Sequence, residues 1–183
     1  MIRIISGSRK GRKIQAPSNL PVRPTTDFAK EGLFNVLVNK IDFEKTKFLD
    51  LFAGTGNISY ELASRGCEAI TCVDNDSRCL KFIAETAIKL EFNKIRTIRS
   101  DVFTFIKGAK GKWDLIFADP PYEDVNNTGK IPELIFAKGM LEEGGLLIIE
   151  HPERIHFTDR SHLLDTRKYG KVNFSFFGFE EKV

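Results

Sequence analysis

The chain has 183 residues, a length that favours one domain with a core large enough to fold alone. Hydrophobic residues make up 42% of it, which is ordinary for a globular protein and argues against a disordered chain. We recognise no signal-peptide pattern and no apolar run of membrane-spanning length, so we expect a cytoplasmic protein. The three cysteines and three histidines lack metal-ligand spacing, so we expect no metal and buried, reduced thiols.

The net charge of +3 is unevenly distributed. Six basic residues and no acidic one precede Asp27, whereas the remainder has 22 basic and 25 acidic residues. Four of the six are clustered at Arg9, Lys10, Arg12 and Lys13. A basic arm on a mildly acidic body is typical of a protein with a polyanionic partner. We predict that the cluster contacts phosphates; a solvated hairpin without a partner is the alternative.

In chain order, the first predicted element is a short β-ribbon, in which three isoleucines flank a turn at residues 7–11. Three prolines between residues 17 and 24 then mark an extended connector. Residues 1–24 therefore form a basic ribbon with its connector, and residues 25–183 form the main domain of a single globular unit. The segment Arg23-Pro-Thr-Thr-Asp27 precedes a helix, which its hydroxyl and carboxylate groups can cap.

From residue 48 onward, predicted strands and helices alternate. The strands are 48–52, 69–73, 95–99, 113–118 and 146–150. The helices are 57–65, a second over 80–88, a short one around 105–106 and a last over 131–138. The tail, 163–179, is predicted to form two strands around Gly170. This alternation predicts an α/β fold with a doubly wound, mostly parallel sheet that ends in an antiparallel hairpin.

The first of these strands leads into a glycine turn, Ala53-Gly54-Thr55-Gly56, and then into a helix. This order of elements presents backbone N–H groups to a ligand at a helix N-terminus. The two glycines alone are weak evidence, because Ser59 stands where a dinucleotide fingerprint has its third glycine. Asp74 follows about twenty residues later, at a strand end where a carboxylate can accept hydrogen bonds from both ribose hydroxyls. Together these features favour a nucleoside ligand over an ordinary strand-to-helix turn.

Three acidic residues, Asp74, Asp101 and Asp119, each stand at the end of a predicted parallel strand. The carboxyl ends of such strands line the ligand crevice in open α/β sheets. One such residue could be a helix cap. Three of them in register with a glycine turn predict a binding site.

The most specific motif is Asp119-Pro-Pro-Tyr122. Pro120 and Pro121 rigidify the chain and remove two donors, which leaves the Asp119 carboxylate and nearby carbonyls as acceptors beside an aromatic ring. This arrangement suits a planar amine, whose N–H groups donate to the acceptors while Tyr122 stacks on the attached ring. Because stacking needs only the ring, we expect the Tyr122 hydroxyl to be dispensable. A purely structural Pro-Pro turn is the alternative.

The stretch from Asp50 to Gly56, with Asp119-Pro-Pro-Tyr122, resembles the class I S-adenosylmethionine-dependent amino-methyltransferases. The arm Ser6-Gly-x-x-Lys10-Gly-Arg12, together with Arg23 to Asp27 and the helix after it, narrows the resemblance to the RsmD family. These are bacterial enzymes that methylate the exocyclic amine, N2, of a guanine in 16S ribosomal RNA. The resemblance extends from the basic arm to Glu150 and so covers most of the chain.

The resemblance implies a Rossmann-like, seven-stranded sheet and S-adenosyl-L-methionine as the cofactor. The implied cofactor-binding residues are Asp50, Gly54, Gly56, Asp74 for the ribose and Asp101 for the adenine amine. Asp76 is an alternative ribose ligand, because it follows Asp74 so closely. Asp119 to Tyr122 would receive the guanine, and Arg23, Thr25 and Asp27 would close over the methionine end or the substrate. The implied partner is 16S ribosomal RNA, within a small-subunit particle, bound by a monomer.

Three alternatives stay open at this point. A nicotinamide-dependent oxidoreductase would use the same sheet, but it has no use for Asp119-Pro-Pro-Tyr122. A non-catalytic RNA-binding assembly factor would explain the basic arm but not that motif. A DNA adenine methyltransferase shares the motif, although it usually carries an extra recognition domain. The final proton acceptor, Asp119 or water, is also undecided.

Overall fold

The computed structural model describes residues 1–18, 20, 26–157 and 160–179. The helices are α1 (Asp27–Leu37), α2 (Asn57–Ser64), α3 (Ser77–Lys89), α4 (Val102–Gly108), α5 (Val125–Thr128) and α6 (Ile131–Ala137). The strands are β1 (Ile2–Arg3), β2 (Lys13–Ile14), β3 (Lys47–Leu51), β4 (Ala69–Asp74), β5 (Ile95–Arg99), β6 (Trp113–Ala118), β7 (Leu141–His151), β8 (Leu163–Tyr169) and β9 (Val172–Gly178). A short 3-10 helix covers Phe43–Lys45.

The main sheet has seven strands in the order β5-β4-β3-β6-β7-β9-β8. The pairings among β3 to β7 are parallel, and β9 is antiparallel to both β7 and β8. Helices cover both faces, and successive residues of the central strands alternate between two hydrophobic clusters, as Phe48 and Leu49 show. The predicted doubly wound, mostly parallel sheet with an antiparallel end is confirmed.

The strand order determines where a ligand site is expected in the sheet. The chain leaves β3 for β4 on one side of the sheet, and it leaves β6 for β7 on the other side. The carboxyl ends of β3 and β6 therefore form the topological switch point, where open α/β sheets bind their ligands. The glycine turn follows β3 and Asp119 follows β6, so the two most informative motifs of the sequence meet at this point.

Two elements differ from the prediction. Strand β7 begins at Leu141, five residues earlier than expected, because Gly144 and Gly145 interrupt the apolar pattern without ending the pairing. A register shift between Trp113 and Leu115 on the neighbouring strand accommodates these extra residues. Helix α5 was not predicted, since its four residues carry no helical periodicity. In both places backbone hydrogen bonding continues through a polar or glycine-rich stretch, which the hydrophobic pattern does not reveal.

The N-terminal ribbon pairs β1 with β2 and packs against the main domain. Ile2, Ile4 and Ile14 are buried in the same hydrophobic cluster as α1 and α2. Polar contacts reinforce this packing, because the buried Glu61 of α2 accepts hydrogen bonds from the N–H groups of Ile5 and Ser6, at 2.7 and 3.0 Å. The division at residue 24 stays a prediction, and the connector lies mostly outside the described residues.

The turn of the ribbon lies at the C-terminal end of α2. The Ser8 N–H donates to the Ser64 carbonyl at 2.7 Å, and the Arg9 N–H donates to the Ser64 hydroxyl at 3.0 Å. The N-terminal end of α2, by contrast, follows the glycine turn at the switch point. An eight-residue helix is about 12 Å long, so the basic turn and the switch point are separated by at least that length. No helix of the described part of the chain has the length and apolarity that a membrane span requires.

Candidate active site

A cavity of about 570 Å³ opens at the switch point. Five carboxylic acids line it, together with apolar and amide side chains, and its lining among the described residues contains no lysine or arginine. The residues are Thr26, Asp50, Phe52, Ala53, Gly54, Asn57, Ile58, Asp74, Asn75, Asp76, Phe117, Asp119, Pro120, Pro121, Tyr122, Glu150 and Val172. Such a lining favours a cation or a hydroxyl-rich ligand and repels an anion.

The glycine turn adopts left-handed backbone angles at three positions. Phe52 has φ +60°, Gly54 has φ +53° and Gly56 has φ +76°. A bulky residue such as Phe52 is rarely found there, and strain of this kind concentrates at functional sites. The Gly54 N–H donates to the Asp74 carboxylate at 2.8 Å, which fixes the turn to the end of the neighbouring strand. This hydrogen bond holds the turn in shape.

The two glycines of this turn have different surroundings. Gly54 lines the cavity, whereas Gly56 does not. A Cβ at Gly56 would lie 2.9 Å from Cγ1 of Ile83 and 3.0 Å from the Tyr60 ring, so it would collide with the core. The role of Gly56 in binding the cofactor stays a prediction, and the structure adds a packing reason for glycine at this position.

The Asp74 carboxylate is buried at the cavity wall and accepts two backbone hydrogen bonds. One comes from Gly54 and the other from the Asp76 N–H, at 2.8 and 2.9 Å. Asp76 also lines the cavity, but Arg78 binds both oxygens of its carboxylate, which also caps α3. The hydrogen bond from the Arg78 side chain is the main reason that the pKa of Asp76 is lowered to about 2. Within the described part of the chain, Asp74 is therefore the one of the two acids that no cation engages.

Asp101 differs from the other strand-end acids. It is exposed, lies outside the cavity lining, and caps α4 by accepting the Thr104 N–H at 2.8 Å. This backbone hydrogen bond is the largest reason that the pKa of Asp101 is lowered. The capping role that the sequence analysis set aside is therefore present at this position. Contact of Asp101 with adenine stays a prediction.

Asp50 lies in β3, Asp119 directly follows the neighbouring strand β6, and both line the same cavity. Asp50 is buried and accepts a hydrogen bond from Ser59 at 2.5 Å. Burial raises the pKa of Asp50 to about 7, despite that hydrogen bond. Asp119 is half-buried, and its pKa lies well above the usual value because of desolvation and the nearby carboxylates of Glu150 and Asp50. Both acids therefore hold a proton at higher pH than an exposed aspartate does.

The loop after β6 presents Tyr122 at the mouth of the cavity, with 38% of the residue exposed. Its hydroxyl donates to Oε1 of Glu150 at 3.1 Å, and Arg154 donates to its backbone carbonyl at 2.8 Å. Neither Glu150 nor Arg154 was predicted as a site residue. Glu150 ends the parallel part of β7, so the strand-end rule that selected Asp74, Asp101 and Asp119 could have found it.

The basic cluster is only partly free. Arg9 is held against the body, because its Nε donates to the Leu90 carbonyl at 3.0 Å and its guanidinium pairs with Glu91. Lys10, Arg12 and Lys13 lie around the turn and are exposed, whereas Arg9 is half-buried. Phosphate contact by this cluster stays a prediction, and the structure favours the last three residues over Arg9 for it.

Of the residues expected to close over the site, Arg23 and Thr25 lie outside the described residues. Asp27 is placed away from the cavity and pairs with Arg3 at 3.1 Å. Its neighbour Thr26 lines the cavity instead and caps α1 through its hydroxyl, which accepts the Ala29 N–H. Of the described residues of this segment, the structure brings Thr26 rather than Asp27 to the cavity, and closure of the segment over the site stays a prediction. Within the described ranges, no group of three or more potential ligands could hold a metal ion.

A family model described as conserved hypothetical protein 95 matches residues 2–178. The chain belongs to this family, the RsmD family. One relative, ribosomal RNA small subunit methyltransferase D of Escherichia coli strain K12, is 32% identical over 81% of this chain and 71% of its own length. YlbH of Bacillus subtilis strain 168, named provisionally as an rRNA methyltransferase, is 34% identical over 91% of this chain and 92% of its own length.

A solved structure shows the same fold. A hypothetical protein of Thermus thermophilus superposes with a TM-score of 0.83 and 25% identity, covering 98% of this chain and all of that one. The chain therefore shares its fold with a protein of similar length. The RsmD family that the sequence motifs predicted is confirmed by the family model and by the curated relatives.

Proposed function

We propose that this RsmD-family chain transfers a methyl group from S-adenosyl-L-methionine to the exocyclic amine, N2, of a guanine in 16S ribosomal RNA. One observation carries the proposal: the glycine turn after β3 and the Asp119–Tyr122 loop after β6 face one cavity at the switch point. The cofactor and the target amine would then be bound in one space. The names of the relatives support methyl transfer to ribosomal RNA.

The residues that line the cavity fit S-adenosylmethionine. When bound, S-adenosylmethionine supplies an electrophilic methyl group on a positively charged sulfur. The acidic lining offers that charge a favourable environment, whereas the diphosphate of a nicotinamide dinucleotide would meet five carboxylic acids and no cation among the described lining residues. We assign the ribose hydroxyls to Asp74, because Arg78 already occupies the oxygens of Asp76. Gly54 would present its backbone to the cofactor, Asp50 would line the same pocket, and Asp101 is kept as the candidate for the adenine amine.

On the acceptor side, the Asp119 carboxylate and nearby carbonyls hold the target amine by accepting its N–H groups. This contact draws on the amine hydrogens and stabilises the positive charge that develops on nitrogen as the N–C bond forms. Desolvation and the nearby carboxyl groups raise the pKa of Asp119, so its carboxylate form is a stronger base than that of an exposed aspartate. We therefore assign to Asp119 the proton that the methylated amine releases, in preference to water.

The placement of the basic turn fits a nucleic acid that extends beyond the target base. Lys10 and Arg12 lie on the turn at the C-terminal end of α2, about 12 Å along that helix from the end that borders the cavity. Lys13 pairs with Arg3 and lies nearer to the cavity wall, since the Arg3 carbonyl and Asn57 accept from the same Lys30 ammonium. A few nucleotides are long enough to span this distance, so the geometry suits naked RNA as well as a small-subunit particle.

A second candidate is methylation of a DNA adenine, because the Asp119-Pro-Pro-Tyr122 motif is shared with enzymes of that kind. The two are distinguished by incubating the protein with labelled S-adenosylmethionine and with 16S RNA, small subunits or duplex DNA. We expect incorporation with ribosomal substrates, most strongly with small subunits. Label found only in DNA would contradict the proposal, and so would the absence of label in every RNA preparation.

A further inference from the structure

Tyr122 is held by a segment that sequence analysis did not connect with it. Its hydroxyl donates to Glu150 at 3.1 Å, and its backbone carbonyl accepts from Nη2 of Arg154 at 2.8 Å. Glu150 lies in β7, the strand next to β6 in the sheet, and Arg154 follows that strand. The ring at the mouth of the cavity is therefore tied at two points to the neighbouring strand, in addition to the Pro120–Pro121 pair that precedes it.

The local backbone explains how these contacts arise. A turn at Pro121 to Asp124 is closed by the Asp124 N–H and the Pro121 carbonyl, at 3.0 Å. A second turn, at Pro152 to Ile155, is closed by the Ile155 N–H and the Pro152 carbonyl, at 3.2 Å. Arg154 bridges from the second turn to the first.

Glu150 has the properties of an anchor. It is only 3% exposed and lines the cavity, so its carboxyl group is held in place by the sheet, and it accepts a hydrogen bond from the Tyr122 hydroxyl. Arg154, by contrast, is exposed, and it reaches in from the rim to the Tyr122 carbonyl. One contact fixes the far end of the ring and the other fixes its backbone.

We propose that Glu150 and Arg154 are positioning residues, which set the plane of the Tyr122 ring against which the target base stacks. The effect on methyl transfer rests on the proposed function, whereas the fixed orientation of the Tyr122 ring rests on the hydrogen bonds alone. The Tyr122 hydroxyl is then required as the donor to Glu150, although the sequence analysis considered it dispensable. A flipped base depends on a fixed surface, because it has lost the neighbours on which it stacked.

The structural content can be tested without any substrate. The chain has three tyrosines, Tyr60, Tyr122 and Tyr169, so tyrosine-selective carbon-13 labelling gives ring signals that a Tyr122→Phe variant assigns. We expect Glu150→Leu to shift the Tyr122 ring signals and to leave those of Tyr60 and Tyr169 in place. Glu150→Gln keeps an acceptor oxygen, so it should largely preserve the wild-type signals. Unchanged Tyr122 signals in Glu150→Leu would overturn the proposal, whatever the protein methylates.

The kinetic content is tested by a double-mutant cycle with a ribosomal RNA substrate. We expect Glu150→Leu and Tyr122→Phe each to lower kcat about 10-fold, with an unchanged Kd for S-adenosylmethionine, and the double variant to be no slower than either. Glu150→Gln should recover most of the loss. If the losses of kcat in the two single variants multiply in the double variant, or if Glu150→Gln loses as much kcat as Glu150→Leu, then Glu150 acts by its charge rather than through Tyr122. Either result would overturn the positioning role.

Arg154→Met provides the second arm, with Arg167→Met as its control. Arg167 is also exposed but pairs locally with Asp165, so its loss removes one positive charge without touching Tyr122. We expect Arg154→Met to lower kcat and shift the Tyr122 signals, and Arg167→Met to do neither. If Arg154→Met and Arg167→Met both change KM and leave kcat unchanged, the two arginines are ordinary phosphate contacts. That result would overturn the role of Arg154. If wild-type protein methylates no RNA, the proposed function fails, whereas the ring signals still decide the positioning role.

Discussion

At the scale of single residues, the cavity concentrates carboxylic acids that the fold holds away from water. Asp50 is the clearest example, because it is buried at 3% exposure and its main hydrogen-bond donor is the neutral hydroxyl of Ser59. Burial disfavours its charged form, so the free protein carries an electrostatic cost that a cationic ligand would relieve.

That cost predicts a dependence of stability on pH. The pKa of Asp50 is about 7 in the folded protein and 3.8 in the reference state, so folding binds a proton between these values. Stability is therefore fully retained below about pH 4 as far as Asp50 is concerned, and it falls as pH rises towards 7, by about 4 kcal/mol in total. Asp50→Asn should remove this slope. Urea unfolding at pH 5, 6 and 7.5 would measure it, and parallel curves for the two proteins would contradict the assignment.

The glycine turn yields a second residue-scale prediction. Gly56→Ala should lower stability by about 2–3 kcal/mol, because its Cβ would meet Ile83 and Tyr60 and because φ is +76°. Gly139→Ala is the control, since Gly139 has φ +61° with no atom near its Cβ position. It should cost only about 1 kcal/mol, the part due to backbone strain. Equal losses by denaturant unfolding would show that the collision with the core is unimportant.

At the scale of elements, the ribbon is attached to α2 through buried charge. Glu61 is fully buried and accepts from the backbone of Ile5 and Ser6. It also pairs with Arg65 at 2.9 Å and lies 3.9 Å from the buried Lys30. Lys30 in turn donates to the Arg3 carbonyl and to Asn57 of the cavity wall, so the ribbon and the cavity share one polar network.

We expect Glu61→Gln to destabilise the protein by about 3 kcal/mol, because it leaves the buried Lys30 and the half-buried Arg65 without their anionic partner. Glu85→Gln is a matched control, since Glu85 forms an exposed pair with Lys81 on the next helix and should change stability by less than about 0.5 kcal/mol. Hydrogen exchange would show where the loss occurs, with faster exchange at the Ile5 and Ser6 amides. Equal free energies of unfolding in Glu61→Gln and Glu85→Gln would contradict the attachment of the ribbon to α2 through Glu61.

The sequence predicted the elements whose signals are local. The glycine turn, the strand-end acids and Asp119-Pro-Pro-Tyr122 are short stretches, so their geometry follows from adjacent residues. The contacts of Arg9 with Glu91 and of Tyr122 with Glu150 join residues 82 and 28 positions apart, and they depend on strand order. The same reason explains why Thr26 was missed and why the packing of Gly56 against the core was not foreseen. Strand ends predict which residues meet, but not which of them caps a helix.

At the scale of the whole molecule, the basic turn and the cavity lie at opposite ends of α2. The triple replacement of Lys10, Arg12 and Lys13 by alanine should therefore weaken RNA binding without changing the affinity for S-adenosylmethionine. The slope of log affinity against log salt should decrease by about 2, as expected for three lost phosphate contacts. Arg9→Ala should leave that slope unchanged, because Arg9 is held by Leu90 and Glu91. An unaltered slope in the triple variant would return these residues to the solvated surface.

The most direct measurement is the identity of the methylated nucleoside. Wild-type protein and Asp119→Ala are incubated with S-adenosylmethionine and unmodified 16S RNA, naked or assembled into small subunits, and the digested RNA is analysed by mass spectrometry. We predict N2-methylguanosine at one position, formed roughly 100-fold more slowly by Asp119→Ala, with cofactor affinity near wild type by calorimetry. A methyl group on any other atom, or a normal rate in Asp119→Ala, would contradict the account.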